Sequence, residues 1–230
     1  MTFNVSFFDL ETTDKCIVGN EILTGFFKTV DIRTLKVIDS LGVKMKPEKY
    51  LEDSYKIHGI SKEEALSFPD KWEGFRKIIS YMDKHKESVF CCHANGYLFG
   101  KSGYFDMQVI TALCNYRTAV HGSELYYWFL KQKYQCISTH SIAKKVLKLD
   151  NYKQDTILKY YGIKNEKSHD AKYDVEAMIK MFFKMINNKN ITKKELIKHG
   201  RYEVEEVIEE VKSGEVPQLY DLPMFADCEY

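Results

Sequence analysis

Apolar residues fall into short, separated runs whose period changes along the chain. Asn4 to Leu10, NVSFFDL, is nearly continuous and predicts a buried strand. Glu21 to Val30 and Lys36 to Lys44 read as two further strands, with Asp31-Ile-Arg-Thr between them as a turn signal. The first third is therefore three strands, expected as antiparallel neighbours. Ser61-Lys-Glu-Glu64 has the form of a helix-capping box, and Pro69 closes that segment. From Asp70 to Lys84 the positions Trp72, Phe75, Ile78, Ile79 and Met82 recur at helical spacing.

The alternation continues. Ser88 to His93 returns to a short apolar strand, and Phe105, Val109, Ala112 and Leu113 predict a helix over 104–115. Ser138 to Leu149 and Asn151 to Tyr161 read as helices, the second stopped by Gly162. A last helix, capped by Ser168, buries Val175, Met178, Ile179, Phe182, Met185 and Ile186. Strands followed by alternating helix and strand give an α/β protein with a mixed sheet. Asn187 to Asn190 reads as a hinge. It divides a domain at 1–187 from an extension at 188–230. That extension carries a short amphipathic helix (Val204, Val207, Ile208, Val211) and an irregular tail from Ser213.

Composition narrows the class. The 230 residues are 44% apolar and 14% aromatic, which excludes a disordered chain. No apolar window approaches the length of a membrane span. The opening MTFNVSFFDLETTD lacks the basic segment and cleavage site of a secretory signal, so a cytoplasmic location is expected. The six cysteines form no C-x-x-C pair and read as reduced thiols, mostly core filler. Cys91-Cys92-His93 has the wrong spacing for zinc. The net charge of +1 hides an asymmetry. Of 34 Lys/Arg and 33 Asp/Glu, 5 and 10 lie in 191–230, leaving 29 and 23 in residues 1–190. A basic body suits a polyanionic partner, and equally an ordinary solvated surface.

Three groups of residues carry candidate chemistry. Asp9 and Glu11 lie two apart at the end of the first strand, which puts both carboxylates on one face. Burying them together requires a neutralising cation, and hard carboxylate oxygens suit Mg²⁺ or Mn²⁺. His169 and Asp174 form H-x-A-x-x-D at the mouth of the last helix, where a histidine is suited to accept a proton from water. Asp106 opens the helix after 104 and is the one acid between 88 and 123. Each group alone also fits an ordinary hydrated acid or helix-terminal residue.

In order along the chain, D-x-E, Asp106 and H-x-x-x-x-D together resemble the DEDDh exonuclease superfamily, which contains ribonuclease T and the epsilon proofreading subunit of bacterial replicative polymerases. Phe7-Phe8-Asp9-Leu10-Glu11-Thr12-Thr13 is similar to its first motif. Ile57-His58-Gly59-Ile60-Ser61 is similar to a segment of epsilon-like members, and Leu158 to Ile163 to the stretch before the last motif. The second motif departs from the usual H-N-x-x-F-D: Gly96 to Gly103 lie between His93-Ala94-Asn95 and Phe105-Asp106, as a loop expected to shape the substrate groove.

The resemblance implies a ribonuclease H-like mixed five-stranded sheet flanked by helices, and 3′–5′ exonuclease activity using two Mg²⁺ or Mn²⁺ ions. It implies that Asp9 bridges both ions, that Glu11 and Asp174 hold the ion carrying the attacking water, and that Asp106 completes the other site. His169 then takes the water's proton. Leu10, Thr12, Thr13, His58, Asn95 and Phe105 fall on the substrate side. The implied substrate is a single-stranded or frayed DNA 3′ end, in proofreading or trimming. An exoribonuclease like ribonuclease T, or a non-catalytic polymerase-associated module, would carry the same fold. Gln218 to Phe225, QLYDLPMF, resembles the short motifs that bind bacterial sliding clamps; folding back onto the domain is the other use of its apolar residues. Polymerase and clamp are thus the expected protein partners.

Overall fold

The computed structural model describes residues 4–17, 19–32, 34–93, 96–98, 101–103, 105–121 and 135–189. Asn95, the 204–211 helix and the 218–225 segment lie outside them. The chain runs β1 (Asn4–Thr12), β2 (Ile22–Asp31), β3 (Lys36–Lys44), α1 (Glu52–His58), α2 (Lys62–Leu66), α3 (Lys71–Lys84) and β4 (Val89–Cys92). Then follow β5 (Gly96–Leu98), β6 (Lys101–Gly103), α4 (Phe105–His121), β7 (Gln135–Ser138), α5 (Thr139–Val146), α6 (Gln154–Tyr160) and α7 (Ala171–Lys189). Among the described residues no helix is long and apolar enough to cross a membrane.

Five strands form one mixed sheet in the order β3-β2-β1-β4-β7. The first three are antiparallel neighbours, as their apolar runs and the turn between β2 and β3 predict. β4 and β7 run parallel to β1 and to each other. All four residues of β4, Val-Phe-Cys-Cys, are buried, as expected of a parallel strand covered on both faces.

Period two divides β1 between two cores. Phe8 and Leu10 face α3 and α4, packing with Phe27, Phe75, Ile78, Met82, Val109 and Ile110. Val5 and Phe7 face α7 and pack with Val175, Met178, Phe182 and Met185. The Phe7 and Phe182 rings meet edge to face at 5.1 Å. Lys28 of β2 pairs with Glu176 and ties α7 across the same face.

Several local expectations are revised. Within the stretch read as a loop, Gly96–Leu98 and Lys101–Gly103 pair as two short antiparallel strands, with Gly96 opposite Gly103. Asp70 caps α3 through the Trp72 and Glu73 N–H groups, and Ser61 caps α2 through that of Glu64. Ser168 does not cap α7. Asp170 does, accepting the Lys172 N–H at 3.2 Å, because the chain turns at His169 and leaves Ser168 outside the first turn. Asn187 and Asn188, read as a hinge, are the continuing last turn of α7. Gly162 ends α6 as expected, with φ 64° and the Ile163 N–H reaching back to the Leu158 carbonyl at 2.9 Å. α1 and β7 had no clear pattern: α1 is seven residues with only Ser54 buried, and β7 is four residues.

Gly74 marks where α3 lies closest to the sheet. A Cβ there would stand 2.4 Å from Met45 Cγ and 3.4 Å from the Lys44 carbonyl oxygen. In an exposed helix Gly→Ala stabilises by about 1 kcal/mol. Here overpacking of about 1–3 kcal/mol opposes it. Gly74→Ala is therefore expected to destabilise, and to destabilise less when made in a Met45→Ala background, although Met45→Ala itself opens the core. Urea unfolding of the single and double variants measures both.

Candidate active site

Asp9 and Glu11 continue the Val5–Phe7 row of β1 past the point where the sheet is covered. The β1–β2 register shifts between Glu11 and Thr12, where Leu23 of β2 is the extra residue, so regular pairing ends beside the two acids. α7 lies along the same row and delivers Asp174 from its first turn. The lengths match. Phe182 to Asp174 is eight residues of helix, about 12 Å. Phe7 to Glu11 is four residues of strand, about 13 Å. Oxygen atoms of Asp9, Glu11 and Asp174 consequently lie within 4.8 Å of one another.

Asp106 sits behind them. β4 pairs with β1 only as far as Phe7 and Cys91, and beyond that point the backbone of Leu10 and of Asp106 itself partly offsets the effect of burial on the Asp106 carboxyl. Asp106 is buried at 5% exposure, and its charge bears on both Asp9 and Glu11. Among the described residues no Lys or Arg side chain forms an ion pair with these four carboxylates. Burial, then the charges of Asp106, Glu11 and Asp174, push Asp9 well above the usual carboxylate range. Burial and the neighbouring carboxylates push Glu11 up to about 8, and burial takes Asp106 to about 7. Asp174 is raised by burial but held back by hydrogen bonds from Asn165 and the His169 N–H. An all-oxygen donor set whose members repel one another fits a hard divalent cation such as Mg²⁺ or Mn²⁺.

His169 is exposed, beside Asp174, with φ 63°; its backbone N–H donates to Asp174 Oδ2 at 2.8 Å. His58 is half-buried. Its Nδ1 accepts the Ile60 N–H at 3.0 Å, which assigns the ring proton to Nε2. Burial and the nearby His169 lower its pKa. Leu10, Thr12, Thr13, His58 and Phe105, the described residues expected on the substrate side, all line one cleft of about 710 Å³ together with Glu11. His58 and His169 also line a neighbouring cleft of about 650 Å³.

His93 is structural. The Tyr152 carbonyl can only accept, so His93 Nε2–H donates to it at 3.1 Å and Nδ1 accepts the Thr139 hydroxyl at 2.8 Å. Burial and His140 push its pKa down to about 4. Two site residues escaped sequence reasoning. Asn165 Nδ2 donates to Asp174 Oδ1 at 2.7 Å, and Gln154 Nε2 to the Asp174 carbonyl at 3.0 Å. Neither residue type marks a site, and their partner lies 9 and 20 residues away.

The exonuclease family model named for RNase T matches residues 6–182. The chain therefore belongs to this exonuclease family, within the DEDDh superfamily. No curated protein sequence matches it. Exonuclease I is a structural neighbour, with TM-score 0.66 and 18% identity over 86% of this chain and 43% of that one. The zinc-bound E. coli exonuclease I complex with single-stranded DNA has TM-score 0.66 and 17% identity over 83% and 42% of the two chains. The nuclease domain of 3′hExo, a DEDDh family member bound to rAMP, has TM-score 0.60 and 14% identity over 82% and 94%. The shared architecture is the ribonuclease H-like fold. The chain spans 42–43% of these exonuclease I chains.

The raised carboxyl pKa values fix a sign. Without metal the folded state holds protons that the unfolded state, with carboxyl pKa values near 4, has released. Metal-free stability is thus highest below about pH 4 to 5 from this source and falls as pH rises through about 7–8. Asp106→Asn removes one of the repelling charges. In chelator at pH 8 the variant is expected to melt above the unmodified protein, with the gap closing towards pH 5. Adding Mn²⁺ is expected to raise the melting temperature of the unmodified protein more. Thermal melts across pH measure all three effects.

Proposed function

We propose that this protein is a divalent-metal-dependent 3′–5′ exonuclease that releases nucleoside 5′-monophosphates from single-stranded or frayed DNA ends. The observation that carries the reading is the convergence of Asp9, Glu11 and Asp174 within 4.8 Å, in a chain of the exonuclease family. Asp9, Glu11 and Asp174, with Asp106 behind them, would hold two Mg²⁺ or Mn²⁺ ions. Bound there, such ions neutralise the developing charge on the phosphoryl group and acidify a bound water.

The remaining chemistry belongs to the chain. The cleft lined by Leu10, Thr12, Thr13, His58 and Phe105 receives the terminal nucleoside. The neutral His58 offers its Nε2–H as a donor to that nucleoside. His169 accepts a proton from the attacking water at its imidazole. Water oxygen bonds to phosphorus, the bond from phosphorus to the 3′ oxygen of the shortened strand breaks, and that oxygen takes a proton. DNA is favoured by the likeness to E. coli exonuclease I, which binds dT13 and dA16 oligonucleotides. RNA is the second reading, because 3′hExo binds rAMP and a 3′-exonuclease among the neighbours recognises a histone mRNA stem-loop.

Purified protein with Mg²⁺ is expected to shorten single-stranded DNA to mononucleotides, to stop in chelator and to leave circular single-stranded DNA uncut. Ala at Asp9, Glu11, Asp106 or Asp174 abolishes the activity. His169→Ala lowers the rate by about 10²–10⁴ and leaves metal affinity intact. Linearised circles would make the enzyme an endonuclease, and faster digestion of RNA than DNA would select the second reading.

We further propose that Gln218 to Phe225 docks on a sliding clamp. Deleting 214–230 is expected to leave hydrolysis of short oligonucleotides unchanged and to reduce digestion in the presence of the clamp. Equal losses in both assays would assign the tail to the domain.

A further inference from the structure

Both oxygens of Asp174 are held by one short loop, N-E-K-S-H-D. Asn165 Nδ2 donates to Oδ1 at 2.7 Å, and the His169 backbone N–H donates to Oδ2 at 2.8 Å. Asn165 Oδ1 in turn accepts the Lys167 N–H at 3.2 Å, so its amide ties the loop to the carboxylate at one point. The far end of the loop is in a backbone conformation that a residue with a Cβ disfavours, at His169 φ 63°.

We propose that Asn165 is a positioning residue that sets the orientation of Asp174 toward the cation site and, through it, the place of the His169 loop. This rests on the reading of the carboxylate cluster as a divalent-cation site.

The physical need follows from the cluster. The Asp174 carboxylate turns about its Cβ–Cγ bond, and Asp9 and Glu11, with oxygens within 4.8 Å, repel it. A donor fixed on Oδ1 opposes that rotation, and a hydrogen bond to a charged acceptor is among the stronger kind. With Oδ1 engaged, Oδ2 is left to be shared between the cation and the His169 N–H.

The residue type fits this task. Lysines surround the position, at Lys164 and Lys167, yet the side chain on Asp174 is a neutral amide. A lysine there would neutralise Asp174 and compete with the cation. An aspartate would repel it. An amide holds the carboxylate and leaves its charge available. Groups that orient a ligand in this way typically change metal affinity by about 10–100-fold when removed.

The test compares the full-length protein with Asn165→Ala and Asn165→Gln. Calorimetric titration with Mn²⁺ reads affinity without reference to activity. The NMR shift of the His169 amide proton, in the metal-free protein, reads its bond to Asp174. Asn165→Ala is expected to weaken Mn²⁺ binding at least about 10-fold. It is also expected to move the His169 amide proton upfield and to change the melting temperature by less than about 3 °C. Asn165→Gln keeps the amide donor and falls nearer the unmodified protein on both readouts. Mn²⁺ affinity within twofold of the unmodified protein in Asn165→Ala overturns the positioning role and leaves the exonuclease reading standing. Equal losses of affinity and melting temperature in both variants assign Asn165 to loop structure alone. Absence of Mn²⁺ binding by the unmodified protein overturns both readings.

Discussion

The site depends on the seating of α7 along one row of β1. Val5 and Phe7 bury against Val175, Met178 and Phe182, and the same two elements, carried one or two turns further, bring Asp9, Glu11 and Asp174 together. The apolar contact and the carboxylate contact lie on the same pair of surfaces, so neither can shift without the other. Each Phe or Met in this row contributes roughly 1.5–3 kcal/mol by burial. That packing opposes the mutual repulsion of the acids at its open end. The Lys28–Glu176 pair adds a lateral tie and limits rotation of α7.

The chain tolerates this repulsion because the acids sit where the sheet's two cores end. Asp106 is the extreme case. It occupies a buried position at the first turn of α4, beyond the point where β4 stops pairing with β1. A helix N-terminus favours an acid there. The same residue raises the pKa of both Asp9 and Glu11. The fold is therefore less stable without a counter-ion than it would be with neutral residues, which is the ordinary relation between a binding site and its scaffold.

The two histidines near the cluster are held differently. His58 is fixed by the Ile60 N–H with its proton assigned to Nε2. His169 is exposed on a polar loop and fixed through its backbone alone. A half-buried neutral ring suits a constant hydrogen-bond donor. An exposed ring beside a carboxylate can exchange protons with water. In the proposed reaction, that difference in environment is what assigns His58 to binding and His169 to proton transfer.

What the sequence determined by itself was everything with a local cause. Short apolar runs and the turn signal between them gave β1 to β3 and their antiparallel order. The 3.6-residue period gave α3 and α7, and the two-residue spacing of Asp9 and Glu11 put them on one face. The family resemblance, rather than a local cause, singled out Asp106, His169 and Asp174, and the residues Leu10, Thr12, Thr13, His58 and Phe105 that line one cleft. Tertiary structure decided the rest. β7, β5 and β6 are too short to announce themselves and take their form from strand pairing. The cap of α7 moved from Ser168 to Asp170 because the backbone turns at His169. The depth of Asp106, the raised pKa of Glu11 and the grip of Asn165 on Asp174 arise from groups far apart along the chain, or from a loop folded back on a helix. Hydrogen bonding and desolvation act through space, so only the folded chain brings such groups within their reach.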